Sequence, residues 1–184
     1  MIIANRIPKD YVVVSGAGQS DFGPGVDPWE TAAYDLALLE AGIENCNIVK
    51  YTSVMPKGAM QITMDQANEQ GLFQHGMVLE TIMAQVNGNH SESICAGVGR
   101  CKVYKDGEEI GGFAAEYEGN NSESYAATKL YEALQGIFER RYAGKPEYTI
   151  DDIQMTTKFL TVDQDYGTVF VAIGFLTFDL PVLD

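Results

Sequence analysis

The order of apolar and polar residues along this chain separates short strands from helices. Residues 11–15, Tyr-Val-Val-Val-Ser, form a β-branched run that predicts a strand, and the Gly-, Pro- and Asp-rich residues 16–27 predict a loop after it. A helix should follow, with Asp27 as N-cap, Pro28 at the first helical position, Glu30 completing a capping box and Gly42 past the end. Trp29, Ala32, Ala33, Leu36 and Leu39 recur at helical spacing as its apolar stripe. Asp35 lies one turn from Thr31, Leu38 and Leu39, which makes it either a half-buried carboxylate or a boundary carboxylate in water.

Residues 46–51 read as a second strand, running into Thr52-Ser53-Val54-Met55-Pro56, and the polar residues 57–74 read as irregular. Strand-like runs then cover 77–86, 93–104, 110–117, 152–162 and 168–178. Asn87-Gly88 and Asp106-Gly107 are hairpin signals, so the middle of the chain predicts an antiparallel meander. A long helix over about 122–142 carries Tyr125, Leu130, Leu134, Ile137 and Phe138 on one side, with Arg140 and Arg141 near its C-terminus. The pattern is α+β, with two principal helices on mainly antiparallel sheet.

The 184 residues carry no repeat, linker or low-complexity segment, which predicts a single domain, 1–184. Twelve Lys and Arg against 26 Asp and Glu leave a net charge of -14. That balance excludes nucleic acid as the expected partner, because phosphate neutralisation needs clustered cations and the one basic pair, Arg140-Arg141, follows Glu139. No run reaches the ~20 apolar residues of a membrane span, and the first residues lack the apolar stretch of a secretory signal, so no membrane contact and a cytoplasmic location are expected. Cys46, Cys95 and Cys101 have neither metal-ligand nor disulfide spacing and read as reduced core residues. His75 and His90 are too few for a His-rich metal site, and no metal is expected.

Two motifs invite chemistry. Gly16-Ala17-Gly18 follows a strand as a dinucleotide fingerprint would, but the third glycine is missing and the helix starts about ten residues on. Thr52-Ser53 places two hydroxyls between a strand and Pro56, where turn residues are also common. The blocks around them are more specific. Glu44-Asn45-Cys46-Asn47-Ile48-Val49-Lys50-Tyr51-Thr52-Ser53-Val54-Met55-Pro56 and Gly111-Gly112-Phe113-Ala114-Ala115-Glu116-Tyr117-Glu118-Gly119 occur in order, with Asp35, Leu38 and Leu39 upstream. Between and after them stand His75-Gly76-Met77-Val78-Leu79-Glu80, Gly97-Val98-Gly99-Arg100-Cys101 and Ile173-Gly174-Phe175-Leu176-Thr177-Phe178. Together these blocks resemble the pyruvoyl-dependent arginine decarboxylases, in their bacterial, chlamydial-type branch, over most of the chain.

The resemblance implies a layered αββα sandwich, a homotrimer with sites at its interfaces, and a covalent pyruvoyl cofactor made from Ser53. The Ser53 hydroxyl would attack the Thr52 carbonyl, and the chain would part into a β chain of residues 1–52 and an α chain of 53–184. Many relatives have Ser before the modified serine, whereas this chain has Thr52, which need supply only its carbonyl. L-arginine would be taken as a Schiff base and leave as agmatine, for polyamine synthesis or for acid resistance. Glu116 is implied as proton donor, a role that needs a carboxyl kept protonated by burial or a neighbouring charge; Asn47 as a polar group beside the cleavage site; Asp35 as the partner of the guanidinium. Two alternatives stay open: a pyruvoyl decarboxylase for another basic amino acid such as histidine, and an unprocessed trimeric binding protein.

Overall fold

The computed structural model describes residues 2–3, 5–22, 27 and 29–183. In chain order, β1 (Ile2–Ile3), β2 (Ile7–Pro8) and β3 (Asp10–Ser20) precede a π-helical turn (Trp29–Tyr34) continuous with α1 (Asp35–Ala41). Next come β4 (Asn47–Lys50), β5 (Val54–Met55), β6 (Met60–Gln61), α2 (Met64–Glu69), β7 (Val78–Asn89), β8 (Ser93–Lys105) and β9 (Glu108–Gly119). α3 (Glu123–Tyr142), β10 (Tyr148–Thr161), β11 (Tyr166–Phe175), β12 (Phe178–Asp179) and β13 (Val182–Leu183) complete the chain. The fold is mixed α/β with mostly antiparallel sheets and no barrel.

One sheet has the order β4-β7-β11-β3-β6, antiparallel through β7, β11 and β3 with parallel edges; the other has the order β10-β8-β9-β5 and is antiparallel throughout. Strand alternation sorts the side chains. Ile82, Val171 and Ile173 of the first sheet share a core with Ile94, Val98 and Ala114 of the second. The opposite face of the first sheet, with Val12, Val14 and Phe170, takes Ala37 and Leu38 of α1, while Val103, Phe113 and Ala115 of the second take Leu130 and Leu134 of α3.

The Asp106-Gly107 hairpin is as expected, with φ of 51° and 82° at its two corner residues. α3 begins at its N-cap Ser122, whose hydroxyl accepts the Tyr125 N–H at 3.3 Å, but Tyr125 itself is exposed and the buried stripe is Ala126, Leu130 and Leu134. Gly42 closes α1 in the left-handed conformation, φ 72°, and Asp27 Oδ1 accepts the N–H groups of Trp29 and Glu30, both at 3.1 Å. The Pro28 expectation lies outside the described residues.

Four expectations are corrected. Residues 16–20 are not loop but the second half of β3. Gly16 and Gly18 are the seat of α1: a Cβ at Gly16 would stand 2.0 Å from the Ala37 carbonyl oxygen, and one at Gly18 would stand 2.1 Å from that of Ala33. The apolar stripe of the first helix is Ala33, Ala37 and Leu38, leaving Leu36 and Leu39 exposed, because the wider π turn shifts the phase of everything after it. Asn87-Gly88 is not a hairpin tip. Gly88 pairs with Gly167 inside β7, and the chain turns at Ser91 (φ 68°) to pass into the other sheet. Within 57–74 the chain forms β6 and α2, the latter started by a capping box in which Thr63 and Gln66 satisfy each other's backbone N–H groups at 2.9 and 3.1 Å.

Candidate active site

The segment from Tyr51 to Met55 passes from one sheet to the other. Tyr51 N–H donates to the Thr81 carbonyl of β7 at 2.6 Å, and Val54–Met55 pairs with Phe113 and Gly112 of β9. Two glycines make that second pairing possible. A Cβ at Gly111, where φ is 130°, would stand 3.0 Å from the Met55 carbonyl oxygen, and one at Gly112 would stand 2.0 Å from the carbonyl oxygen of Cys101 on β8. The Gly-Gly of the sequence block is therefore the place where β5 docks.

Between the two attachments the backbone makes a three-residue turn. Val54 N–H donates to the Thr52 carbonyl at 3.1 Å, and the Ser53 carbonyl accepts the Ala114 N–H, also at 3.1 Å. Thr52 is exposed and Ser53 half-buried. The Ser53 hydroxyl reaches the Glu116 carboxylate, with Oγ 2.9 Å from Oε2 and 3.1 Å from Oε1, its one proton shared between the two oxygens. Glu116 follows Ala114 by two residues on β9, so the same strand holds both the backbone and the side chain of Ser53. The carboxylate is exposed in the single chain.

Asn47 and Asp35 stand elsewhere. Asn47 opens β4 beside Val78, its side-chain amide donating to the Gly76 carbonyl at 2.9 Å, and the extended chain from it to Ser53 spans up to about 20 Å. Asp35 is exposed at the start of α1. Among the described residues no hydrogen bond or ion pair links either of them to Ser53 or Glu116. Those residues also hold no cluster of three or more His, Cys, Asp or Glu able to bind a metal, and no helix long and apolar enough to cross a membrane. The three cysteines are free; burial raises the pKa of each thiol.

Residues 10–180 match the family described as pyruvoyl-dependent arginine decarboxylase. The chain is 38% identical over 195 residues to the pyruvoyl-dependent arginine decarboxylase AaxB of Chlamydia abortus, covering 97% of this chain and 96% of that one. It is 36% identical over 193 residues to AaxB of Chlamydia trachomatis serovar L2, with the same coverage, and 33% identical over 94 residues, 51% of this chain and 54% of the relative, to the pyruvoyl-dependent arginine decarboxylase of Methanopyrus kandleri. The chain belongs to the pyruvoyl-dependent arginine decarboxylases. It is thus a carboxy-lyase of a family whose name implies a covalently bound pyruvoyl group.

For a pyruvoyl-dependent arginine decarboxylase the turn at Thr52–Val54 is a suitable place for such a group. It offers a serine, an N–H on the preceding carbonyl, an N–H on the serine's own carbonyl, and a carboxylate at the side chain. Sequence reasoning passed over two neighbours. Glu80 is only 4% exposed in β7, a carboxylate among apolar residues, and Tyr51 lies against Phe175 with ring centroids 6.1 Å apart. The signal for Glu80 was available, as one charge between Leu79 and Ile82 in an apolar run.

Proposed function

We propose that this chain is a self-processing arginine decarboxylase that converts L-arginine and a proton to agmatine and carbon dioxide, with its pyruvoyl group formed from Ser53. The observation that carries the reading is the turn at Thr52–Val54, in which the Ser53 side chain meets Glu116 while the Thr52 carbonyl accepts the Val54 N–H. In the first step Ser53 Oγ bonds to the Thr52 carbonyl carbon, the Thr52–Ser53 C–N bond breaks, and the hydroxyl proton passes to the freed nitrogen. The Val54 N–H is a donor for the oxyanion that forms on the way. Loss of the Ser53 Cα proton then breaks the Cβ–Oγ bond. Thr52 leaves as a carboxylate, ending a β chain of 1–52, and water replaces nitrogen at position 53 with release of ammonia, so that an α chain of 53–184 begins with a ketone.

When formed, the pyruvoyl group supplies an electron sink for loss of carbon dioxide. The chain's own residues do the rest. Glu116 delivers the proton that replaces the carboxylate, from a position already in contact with residue 53. Asp35 binds the guanidinium by two parallel charge-assisted bonds, which favours arginine over shorter or neutral side chains. Asn47 hydrogen-bonds the group at position 53. Among the described residues of one copy neither of them is hydrogen-bonded to Ser53, and this supports a homotrimer in which a neighbouring copy supplies them and covers the exposed Glu116. The layered αββα sandwich, a single domain and a cytoplasmic location belong to the same proposal, and the shared cores between sheets and under α1 and α3 support the layering.

The test is intact-mass analysis of the purified protein and of Ser53→Ala, with agmatine measured in parallel. The wild type should consist of two fragments divided after Thr52, the variant of one inactive polypeptide of 20.1 kDa. Active wild type that remains uncut overturns the reading.

A further inference from the structure

Only Thr52 separates two fixed points. Ser53 is tied to β9 through its carbonyl, and Tyr51 is tied to β7 through its N–H. The Thr52 side chain is exposed, so the position of the carbonyl to be attacked is set by its neighbours. The downstream tie is a strand pairing. The upstream tie is the backbone bond from Tyr51 to Thr81, flanked by side chains that hold the Tyr51 ring.

Glu80 points between the sheets on the same face of β7 as Ile82, with its side chain 5% exposed. Burying a carboxylate at a strand position that an apolar residue could fill is unfavourable without partners. Its Oε1 pairs with the Arg6 guanidinium, which reaches in from the N-terminal segment and lies 4.7 Å above the Phe178 ring. Its Oε2 is buried with no hydrogen-bond partner among the described residues. The Tyr51 ring packs on Phe175, the residue paired with Glu80 across β7 and β11, with ring centroids 6.1 Å apart; burial first, then Glu80, push the phenol's pKa up, while Arg6 acts the other way. Three segments distant in sequence therefore converge on the residue immediately before Thr52.

We propose that the Arg6–Glu80 pair fixes Tyr51 and makes it a positioning residue for self-cleavage, holding the Thr52 carbonyl within reach of the Ser53 hydroxyl. This rests on the reading of Ser53 as the cleaving nucleophile. The advantage is one of preorganisation: an intramolecular attack depends steeply on how often the reacting atoms are in line, and a loose Tyr51 would let the turn drift. Once the peptide bond is cut the tie has no further part in the chemistry at residue 53. Loosening it should slow processing without changing turnover by chains already processed.

The experiment follows pulse-labelled chains and records the first-order rate at which fragments appear, together with turnover per ketone titrated with a carbonyl reagent. Tyr51→Phe and Glu80→Gln are expected to split roughly tenfold or more slowly than wild type, with unchanged turnover per ketone. Arg6 is half exposed, so Arg6→Ala should fold; it should show the same slow splitting, and Arg6→Lys, which keeps the charge, should recover most of the rate. Arg6→Ala and Glu80→Gln splitting at the wild-type rate overturns the inference while leaving Ser53 in its role. Equal losses in splitting and in turnover per ketone also overturn it, since they report general damage. A wild type that never splits removes the earlier reading and this inference with it.

Discussion

Ser53 Oγ and Glu116 Oε2 lie 2.9 Å apart, brought together by a strand pairing that joins β5 to β9. A carboxylate in this place touches residue 53 before any processing has occurred, so its part in cutting and its part in turnover can be separated. Glu116→Gln keeps an acceptor for the Ser53 hydroxyl but loses the transferable proton. Splitting should proceed, and turnover should fall by about 10²–10⁴-fold, the usual contribution of a positioned acid. Steady-state rates beside intact-mass spectra check this; full turnover in the variant removes Glu116 as proton donor.

Among the described residues no hydrogen bond or ion pair joins Asp35 to Ser53, and this gives a sharper test than a single substitution. Asp35→Asn should raise the KM for arginine by roughly ten- to a hundredfold, the worth of a charged hydrogen bond at about 1.5–3 kcal/mol. Ser53→Ala should be inactive. Co-expressed, the two defective chains should form mixed assemblies in which Asp35 of one copy serves Ser53 of another. Recovery of low-KM activity in the mixture is the expected result, and activity equal to that of Asp35→Asn alone would place both residues in one chain's site.

Local signals carried far into the fold where the chemistry was itself local. Asp106-Gly107 makes its own turn, and Ser122 caps its own helix, so both were readable from adjacent residues. Asn87-Gly88 was misleading because the same dipeptide can pass through a strand when the next strand belongs to another sheet, a fact of tertiary packing. α2 had few apolar residues and showed only its Thr63–Gln66 capping box. At the site, Ser53 and Glu116 were named through family resemblance, but their contact depends on β5 finding Gly111 and Gly112. Phe113 and Ala115 face α3, and Glu116 alternates to the other side of the strand, where it is exposed.

Gly16 and Gly18 look like the start of a nucleotide loop and serve instead as the contact surface for a helix. Gly16→Ala would drive a methyl against the Ala37 carbonyl at 2.0 Å and force α1 outward. A cost of about 1–3 kcal/mol is expected, which for a chain of this size lowers Tm by roughly 2–12 °C. Calorimetry should register the loss. No nucleotide should shift the Tm of the wild type; a clear upward shift with a dinucleotide would contradict the helix-seat role.

Acid should loosen the loop that follows the cleavage turn. Glu109 faces a burial penalty that raises its pKa, but the Gly58 N–H at 2.7 Å and the Lys102 ammonium at 3.0 Å outweigh it and hold the carboxyl below its ordinary value of 4.5. A carboxyl depressed by folding stabilises the native state above the unfolded pKa and stops doing so as pH falls through the folded one. The contribution of Glu109 should therefore be whole at pH 7 and fade below about pH 4.5. The side chains remain partly exposed, at 19% for Glu109 and 31% for Lys102, so the effect should not exceed about 1 kcal/mol, or roughly 2–4 °C in Tm. Glu109→Gln should melt below wild type at pH 7, and the gap should narrow at pH 3. A gap that widens in acid would mean that Glu109 is not held in its charged form by Gly58 and Lys102.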